Sequence, residues 1–342
     1  MHLLENKGRS LPQQLAKAIE RNQNCMWIGT LSFEDRCIAS LSLLHEAGSK
    51  LDGAIAIEYP TTAQPEREDY ERRKRNRGAL LELGNDVFRT APVFQTLNPY
   101  ALQDLFKVLF QPHIDSKNTF VIFDITCMTK VHTLALASYL ARHNPTYDWV
   151  CSYTIPENYT SLDDNSRSPG WKDVIIAPLA ETAHLLNESH SRGVLVTGHE
   201  ADRLLVAISE LEPSGGLIIV GDTPSRPDLS RLSEQRNRAI LRQLMRLRSS
   251  EWKKMSANVL NFDKIQKSIS SEIALAKRSN APVILFPFGP KPLLFEIGYL
   301  LAFEYPESSW FVYPVPNVYD VNYTEGIGTT YWFSAEKSFR NI

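Results

Sequence analysis

The sequence runs twice through the same succession of apolar strand, polar corner and helix, with matching residues in the same order, and few architectures tolerate that. Cys25-Met26-Trp27-Ile28-Gly29-Thr30 reads as a short buried strand that passes through Phe33-Glu34-Asp35-Arg36 into an apolar helix. Gly193-Val194-Leu195-Val196-Thr197-Gly198 passes through Glu200-Ala201-Asp202-Arg203 into another. Gly53 to Tyr59 is echoed by Gly216 to Val220, and the charged helix ending Arg75-Asn76-Arg77 by Arg236-Asn237-Arg238. Phe120 to Phe123 is echoed by Val283 to Phe286, Lys130 by Lys291, and Tyr153, Pro156 and Tyr159 by Tyr313, Pro316 and Tyr319. Any two parallel sheets share a rhythm of strands and helices, but that does not explain paired Asp-Arg, Arg-Asn-Arg, Lys and Tyr-Pro-Tyr residues. The pattern predicts an internal duplication. Residues 1–160 form a first Rossmann-like unit with a leading helix, 161–192 a connecting segment with a strand and a helix, and 193–342 a second unit.

Alternating strands and helices of this length predict an α/β fold with mostly parallel sheets in two tandem Rossmann-like units, related by a pseudo-twofold axis. A helix is also expected over Pro99 to Phe110. Two such units would bring equivalent strand-to-helix corners toward one cleft, at the carboxyl ends of the strands where parallel sheets bind ligands. The 342 residues, 43% of them hydrophobic, suffice for a full core, and a formal charge of -2 gives no bulk attraction for nucleic acid or membrane. Cys25, Cys37, Cys127 and Cys151 form no C-x-x-C pair and have no histidine-rich neighbourhood, which speaks against structural zinc and a disulfide framework. No run has signal-peptide or membrane-spanning length, so the expected compartment is the cytoplasm. No metal or cofactor is expected.

The central corner is Asp124-Ile125-Thr126-Cys127-Met128-Thr129-Lys130, between the strand Thr119 to Phe123 and the helix Val131 to Arg142. Small polar residues before a helix present backbone N–H groups, and a lysine there adds fixed charge, which suits an anion. Asp124 and Thr126 serve equally well as helix caps. The stretch resembles the Asp/Asn-x-Thr-Gly-Gly-Thr-Lys motif of CRISPR-associated Rossmann-fold (CARF) sensor domains, with Cys127 and Met128 where the family has glycines that admit close backbone contact. The resemblance implies Thr126, Thr129 and Lys130 as binding residues, with Asp124 beside them. It also implies that the Cys127 and Met128 side chains fill space the phosphate would use. Gly289 and Lys291 answer in the second corner. Two CARF-like units in one chain also resemble the SAVED sensors of antiphage systems, which read cyclic oligonucleotides across a pseudo-dimer cleft.

Asp35, Arg36, Asp202 and Arg203 open the first helices of the two units, and each Asp either caps its helix or meets ligand. Arginine offers a planar phosphate clamp, so Arg36 and Arg203 join the candidate site. The resemblance implies a nucleotide-ligand sensor, possibly for a cyclic oligonucleotide, or a regulatory subunit of a bacterial antiphage system. Since no effector motif is recognisable, output is expected in a protein partner. There are two alternatives: a phosphodiester-cleaving or nucleotide-processing enzyme that uses the same cleft, since slow cleavage needs no Walker or metal motif, and a ligand-free scaffold for a defence complex.

Overall fold

A computed structural model describes residues 2–4, 11–22, 24–59, 67–84, 87–92, 119–143, 145, 147–159, 170–183, 186, 190–199, 201–222, 227–247, 251–259, 261–316 and 324–334. The expected helix at 99–110 and Tyr319 lie outside them. In chain order the first half contains β1 (His2–Leu4), α1 (Gln13–Arg21), β2 (Asn24–Leu31), a 3-10 turn (Asp35–Ile38), α2 (Ala39–Glu46), β3 (Gly53–Glu58), α3 (Arg67–Gly84), β4 (Phe88–Pro92), β5 (Thr119–Asp124), α4 (Lys130–His143) and β6 (Asp148–Thr154). It is followed by β7 (Trp171–Pro178), β8 (Arg192–Thr197), α5 (Ala201–Leu211), β9 (Gly215–Asp222), α6 (Pro227–Leu247), β10 (Trp252–Asn258), α7 (Phe262–Ser279), β11 (Val283–Pro287), α8 (Lys291–Glu304), β12 (Ser309–Pro316) and β13 (Thr330–Ser334).

The strands make two sheets, ordered β1-β13-β6-β5-β2-β3-β4 and β10-β9-β8-β11-β12-β7. Each contains the same five parallel strands in the same order, β4-β3-β2-β5-β6 in one and β10-β9-β8-β11-β12 in the other, as an internal duplication would give. The central strands β2, β5, β8 and β11 are buried almost throughout, and burial on both faces is why they read as unbroken apolar runs. In each sheet the chain leaves the central strand to opposite sides, so β2/β5 and β8/β11 are topological switch points.

Each sheet gains a further strand outside the five-strand repeat. Strand β7, which follows β6 in the chain, pairs antiparallel with β12, while β13, which follows β12, pairs antiparallel with β6. A ribbon from 155–158 and 325–329 continues the β6–β13 pairing past the carboxyl end of β6, through bonds such as Ile155 N to Thr329 O at 3.1 Å and Glu325 N to Asn158 O at 2.9 Å.

Helices α4 and α8 pack on each other inside one core that draws residues from both sheets. Both are apolar around their circumference: every residue from Val131 to Ala141 is buried in α4, and so is most of α8. Gly298 permits their close approach, since a Cβ there would stand 2.8 Å from Leu134 Cδ2. Two further cores cover the outer faces, one with α1, α2 and Leu80 of α3 over the first sheet, the other with α5 and Leu241 of α6 over the second. The two switch points are thus held in one framework, around the starts of α4 and α8.

Candidate functional site

The two corners end equivalent strands but differ in length. Residues 125–129 join β5 to α4, whereas 288–290 join β11 to α8, five residues against three. In the first corner Asp124 lies beneath the surface, 2% exposed. Its carboxylate accepts the Thr126 backbone N–H at 2.8 Å and the Ser40 hydroxyl, and Ser40 Oγ accepts the Trp27 indole N–H at 2.9 Å. Burial pushes the Asp124 carboxyl up, against those hydrogen bonds and the Lys291 charge. Thr126 is buried too, its Oγ1 accepting the Thr154 N–H at 2.9 Å. Both side chains tie the corner to its own sheet. Thr129 stands before the first turn of α4, its hydroxyl accepting the His132 N–H at 3.3 Å. Of the two residues in the glycine positions, Met128 turns fully into the core and only Cys127 stays partly exposed, so one side chain, not two, borders the cleft.

The lysines that open α4 and α8 each reach across to the other unit's corner. Lys130 Nζ donates to the Phe288 carbonyl at 2.9 Å, and Lys291 Nζ donates to the Thr126 carbonyl. The exchange is reciprocal, as the pseudo-twofold requires. Burial holds the Lys130 ammonium well below the usual lysine range, aided by the nearby Arg203 charge. Burial brings Lys291 down to about 8, with Glu34 and Cys127 opposing and Arg36 and Lys130 adding to the fall. Gly289 sits in the short corner against Val196.

The arginines complete two half-sites. Arg36, 6% exposed, donates through Nη1 to the Thr154 carbonyl at the end of β6, at 2.9 Å. Arg203, 8% exposed, reaches the Pro314 carbonyl in β12 at 3.4 Å and the Tyr313 hydroxyl at 3.3 Å. Tyr313 and Tyr153, the first tyrosines of the Tyr-Pro-Tyr repeats, therefore sit beside equivalent arginines. Arg36 Nε has no partner. Glu34 accepts from Arg36 Nη2 and, at 2.8 Å, from Thr324 on the ribbon. Although burial works to raise it, the Arg36 and Lys291 charges and these hydrogen bonds hold the Glu34 carboxyl below its ordinary value. Each half-site thus takes its arginine from one unit and its lysine from the other.

Not every expected residue joins this cluster. Asp35 lies outside it, in an exposed ion pair with Arg75. Asp202 is in the first turn of α5, and its side chain is outside the described residues. Besides Glu34, three residues that the sequence reading did not select do belong. Asn76 Nδ2 donates to the Ser32 carbonyl at 2.9 Å and Glu34 carbonyl at 3.2 Å, and Asn237 Nδ2 to the Gly198 and Ser233 carbonyls, both at 2.8 Å. These buried amides fasten α3 and α6 to the loops after β2 and β8, and they are the middle residues of the Arg-Asn-Arg repeat. His199 closes β8 beside Tyr159, with Nδ1 unpartnered. Burial and then the Arg236 and Lys130 charges bring its imidazole down to about 4, so it is neutral at physiological pH.

The assembled groups are Arg36, Arg203, Lys130 and Lys291 with Arg236 near His199, a concentration of cations at two adjoining switch points. Such a surface attracts anions and offers hydrogen-bond donors to phosphate. Among the described residues no three His, Cys, Asp or Glu side chains are grouped to hold a metal ion, and no helix is long and apolar enough to cross a membrane.

No protein-family model matches the chain, and no curated protein matches it. Among solved structures it is similar to one described as a type III CRISPR defence DNA nuclease activated by cyclic oligoadenylate. The TM-score is 0.50 at 9% sequence identity, over 84% of this chain and 65% of that one. The likeness is one of fold, and this chain spans less than two thirds of the nuclease. A functionally unknown protein from Pseudomonas aeruginosa PAO1 matches over 90% of this chain and 96% of its own length at 9% identity, but its TM-score of 0.24 carries no argument.

Proposed function

We propose that the chain is a nucleotide-ligand sensor, of the kind that reads a cyclic oligonucleotide, and the regulatory part of a bacterial antiphage system whose output resides in a protein partner. The observation that carries this reading is the reciprocal lysine exchange between the two corners. A ligand entering there meets Lys130 and Lys291 together, and binding it necessarily alters bonds that join the two halves. That is what a sensor needs, because a ligand shifts a conformational equilibrium only by its differential contacts with the two states. The depressed lysines point the same way: burial disfavours the charged form of each, and an incoming phosphate would favour it again. A solved protein of the same fold is activated by cyclic oligoadenylate, a ligand of the proposed chemistry.

The test is a thermal-shift screen against cyclic di-, tri- and tetranucleotides, linear oligoadenylates and dinucleotides, with product analysis on each hit, followed by affinities for Lys130→Ala and Lys291→Ala. Loss of one charge-assisted contact predicts a few-fold to about a hundredfold weakening in each variant. Unchanged affinity in both variants would remove the cleft assignment, and a cleaved product would turn the sensor into an enzyme.

A further inference from the structure

We propose that the outer face of α6 binds the phosphate backbone of a nucleic-acid duplex, without regard to sequence, through a stripe of four unpaired arginines. This site is separate from the cleft and does not depend on the nucleotide reading above.

The stripe consists of Arg231, Arg238, Arg242 and Arg246, all exposed. At about 100° per residue they fall within an arc of about 80° and extend along about 22 Å of the helix. Exposed Gln235 lies in the same arc. The opposite face of α6 carries buried Leu229, Ser233, Asn237 and Leu241, so the arginines stand on the side away from the second sheet. Among the described residues none of the four meets a hydrogen-bond or ion-pair partner. The two carboxylates of α6 are placed elsewhere. Asp228 precedes the stripe, where His199 feels its charge, and Glu234 is taken by Lys254 of β10.

A row of charges on a helix is ordinarily a solvated face laced with ion pairs, and the equivalent helix shows that arrangement. In α3, Arg72 meets Glu68, Arg73 meets Asp69, Arg75 meets Asp35 and Arg77 meets Glu58. The Arg-Asn-Arg repeat sets α3 and α6 in register, and the acids have no counterpart in the second copy. Glu68 and Asp69 are answered by Leu229 and Ser230, and Glu58 at the end of β3 by Gly221 in β9. Arg231, Arg242 and Arg246 in turn stand where the first copy has Tyr70, Leu81 and Asn85. The second copy thus lacks three carboxylates of the first and has three further cations.

The occupant follows from what this face offers. Protein interfaces are anchored by buried apolar and aromatic side chains, yet no described residue of α6 is an exposed large hydrophobic. An acidic protein would be held by solvated charge pairs alone, which contribute little in water. A polyanion gains instead from the release of counterions condensed along its phosphates, and that gain grows with each arginine engaged. Single strands are held largely by stacking of their bases on aromatic side chains, and α6 contains no Phe, Trp or Tyr. A duplex turns its backbone outward, and the planar fork of arginine suits phosphate oxygens. The formal charge of -2 supplies no general attraction, so the affinity comes from the stripe.

The experiment is fluorescence anisotropy on the full chain with fluorescein-labelled duplexes of mixed sequence and about 20 base pairs, one of DNA and one of RNA, at about 50 to 200 mM salt. Four arginine contacts predict a slope of log affinity against log salt of about -3 to -4, a loss of about a hundredfold across that range. The double variant Arg238→Gln, Arg242→Gln is expected to weaken binding about a hundredfold at the lower salt and to flatten the slope by about 2. Glutamine forms helix nearly as well as arginine, so these exposed substitutions keep the fold. The contrasting double variant Arg72→Gln, Arg75→Gln takes two arginines out of ion pairs in α3 and is expected to change affinity about twofold or less. Binding of either duplex with this slope and this difference between variants supports the proposal, and the two duplexes together tell DNA from RNA. Absence of duplex binding by the wild type at about 50 mM salt would overturn it, as would equal effects of the two double variants. Tighter binding of poly-glutamate, or of a single strand, than of either duplex would overturn it too, in favour of an acidic polypeptide or an unpaired strand.

Discussion

The tightest backbone approach in the site makes a sharp test of how the corners are joined. A Cβ added at Gly198 would stand 1.9 Å from the Phe288 carbonyl oxygen, when contacts under 3.0 Å are essentially never seen, so the two segments must separate by about 1.1 Å. Gly198 has little room to retreat, because its own carbonyl is held at 2.8 Å by Asn237 and at 2.9 Å by Ser233. The movement falls on the Phe288 carbonyl, which also receives Lys130 at 2.9 Å, and a further 1.1 Å puts that bond out of reach. Overpacking costs about 1–3 kcal/mol and the lost charged hydrogen bond about 1.5–3, so Gly198→Ala is expected to destabilise by about 3–5 kcal/mol, of order 10 °C in Tm. Urea and thermal unfolding measure this, with Gly78→Ala as the contrasting variant. Gly78 lies within α3 with nothing within 4 Å of its added Cβ, and the ordinary helix preference predicts a gain of about 0.5–1 kcal/mol there. A Gly198→Ala protein that melts at or above the wild type would refute the close approach and the corner geometry built on it.

The buried amides give a paired expectation: Asn76→Ala removes two hydrogen bonds to loop carbonyls, Asn237→Ala removes one to a loop carbonyl and one to its own helix, and each should cost about 1–3 kcal/mol in urea unfolding, whereas Arg75→Ala, from an exposed ion pair, should cost under about 0.5. Lys291 predicts a pH dependence of defined sign. Its folded value of about 8 lies below its ordinary 10.5, so the destabilisation is fully present below pH 8 and is relieved as pH rises from about 8 to 10.5. Stability measured as wild type minus Lys291→Met should therefore rise across that window by about 1–2 kcal/mol after allowance for solvent screening, and a flat or falling difference would contradict the assigned burial.

Much of this fold is legible in the residues, for identifiable reasons. Strands β2, β5, β8 and β11 are buried on both faces and therefore appear as continuous apolar runs, and the corners follow from where those runs break. Strand β10 escapes a sequence reading because it lies at a sheet edge with Lys253, Lys254 and Ser256 exposed. Strand β13 is an apolar run whose partner, β6, is far away in sequence, and no local pattern says which sheet it joins. In the site, repetition points to Arg36 and Arg203 and to both lysines, but it cannot show that the lysines cross over, which depends on the packing of α4 against α8. The Arg-Asn-Arg repeat suggests arginines, yet the asparagine is the buried member; a poor helix former kept inside two helices was the signal available.

The outer strand β13, which joins the first sheet from beyond the second, also sets an order in time. During synthesis, Thr154 of β6 emerges 176 residues before Thr330, the residue of β13 whose hydroxyl it meets at 2.8 Å. At about 5–20 residues per second that is a wait of roughly 9–35 s, with one edge of the first sheet unpaired throughout. The first sheet begins before the second yet is finished after it, since β7 is already made when β12 appears. A nascent chain of this kind completes its second sheet first and closes the first sheet only on β13.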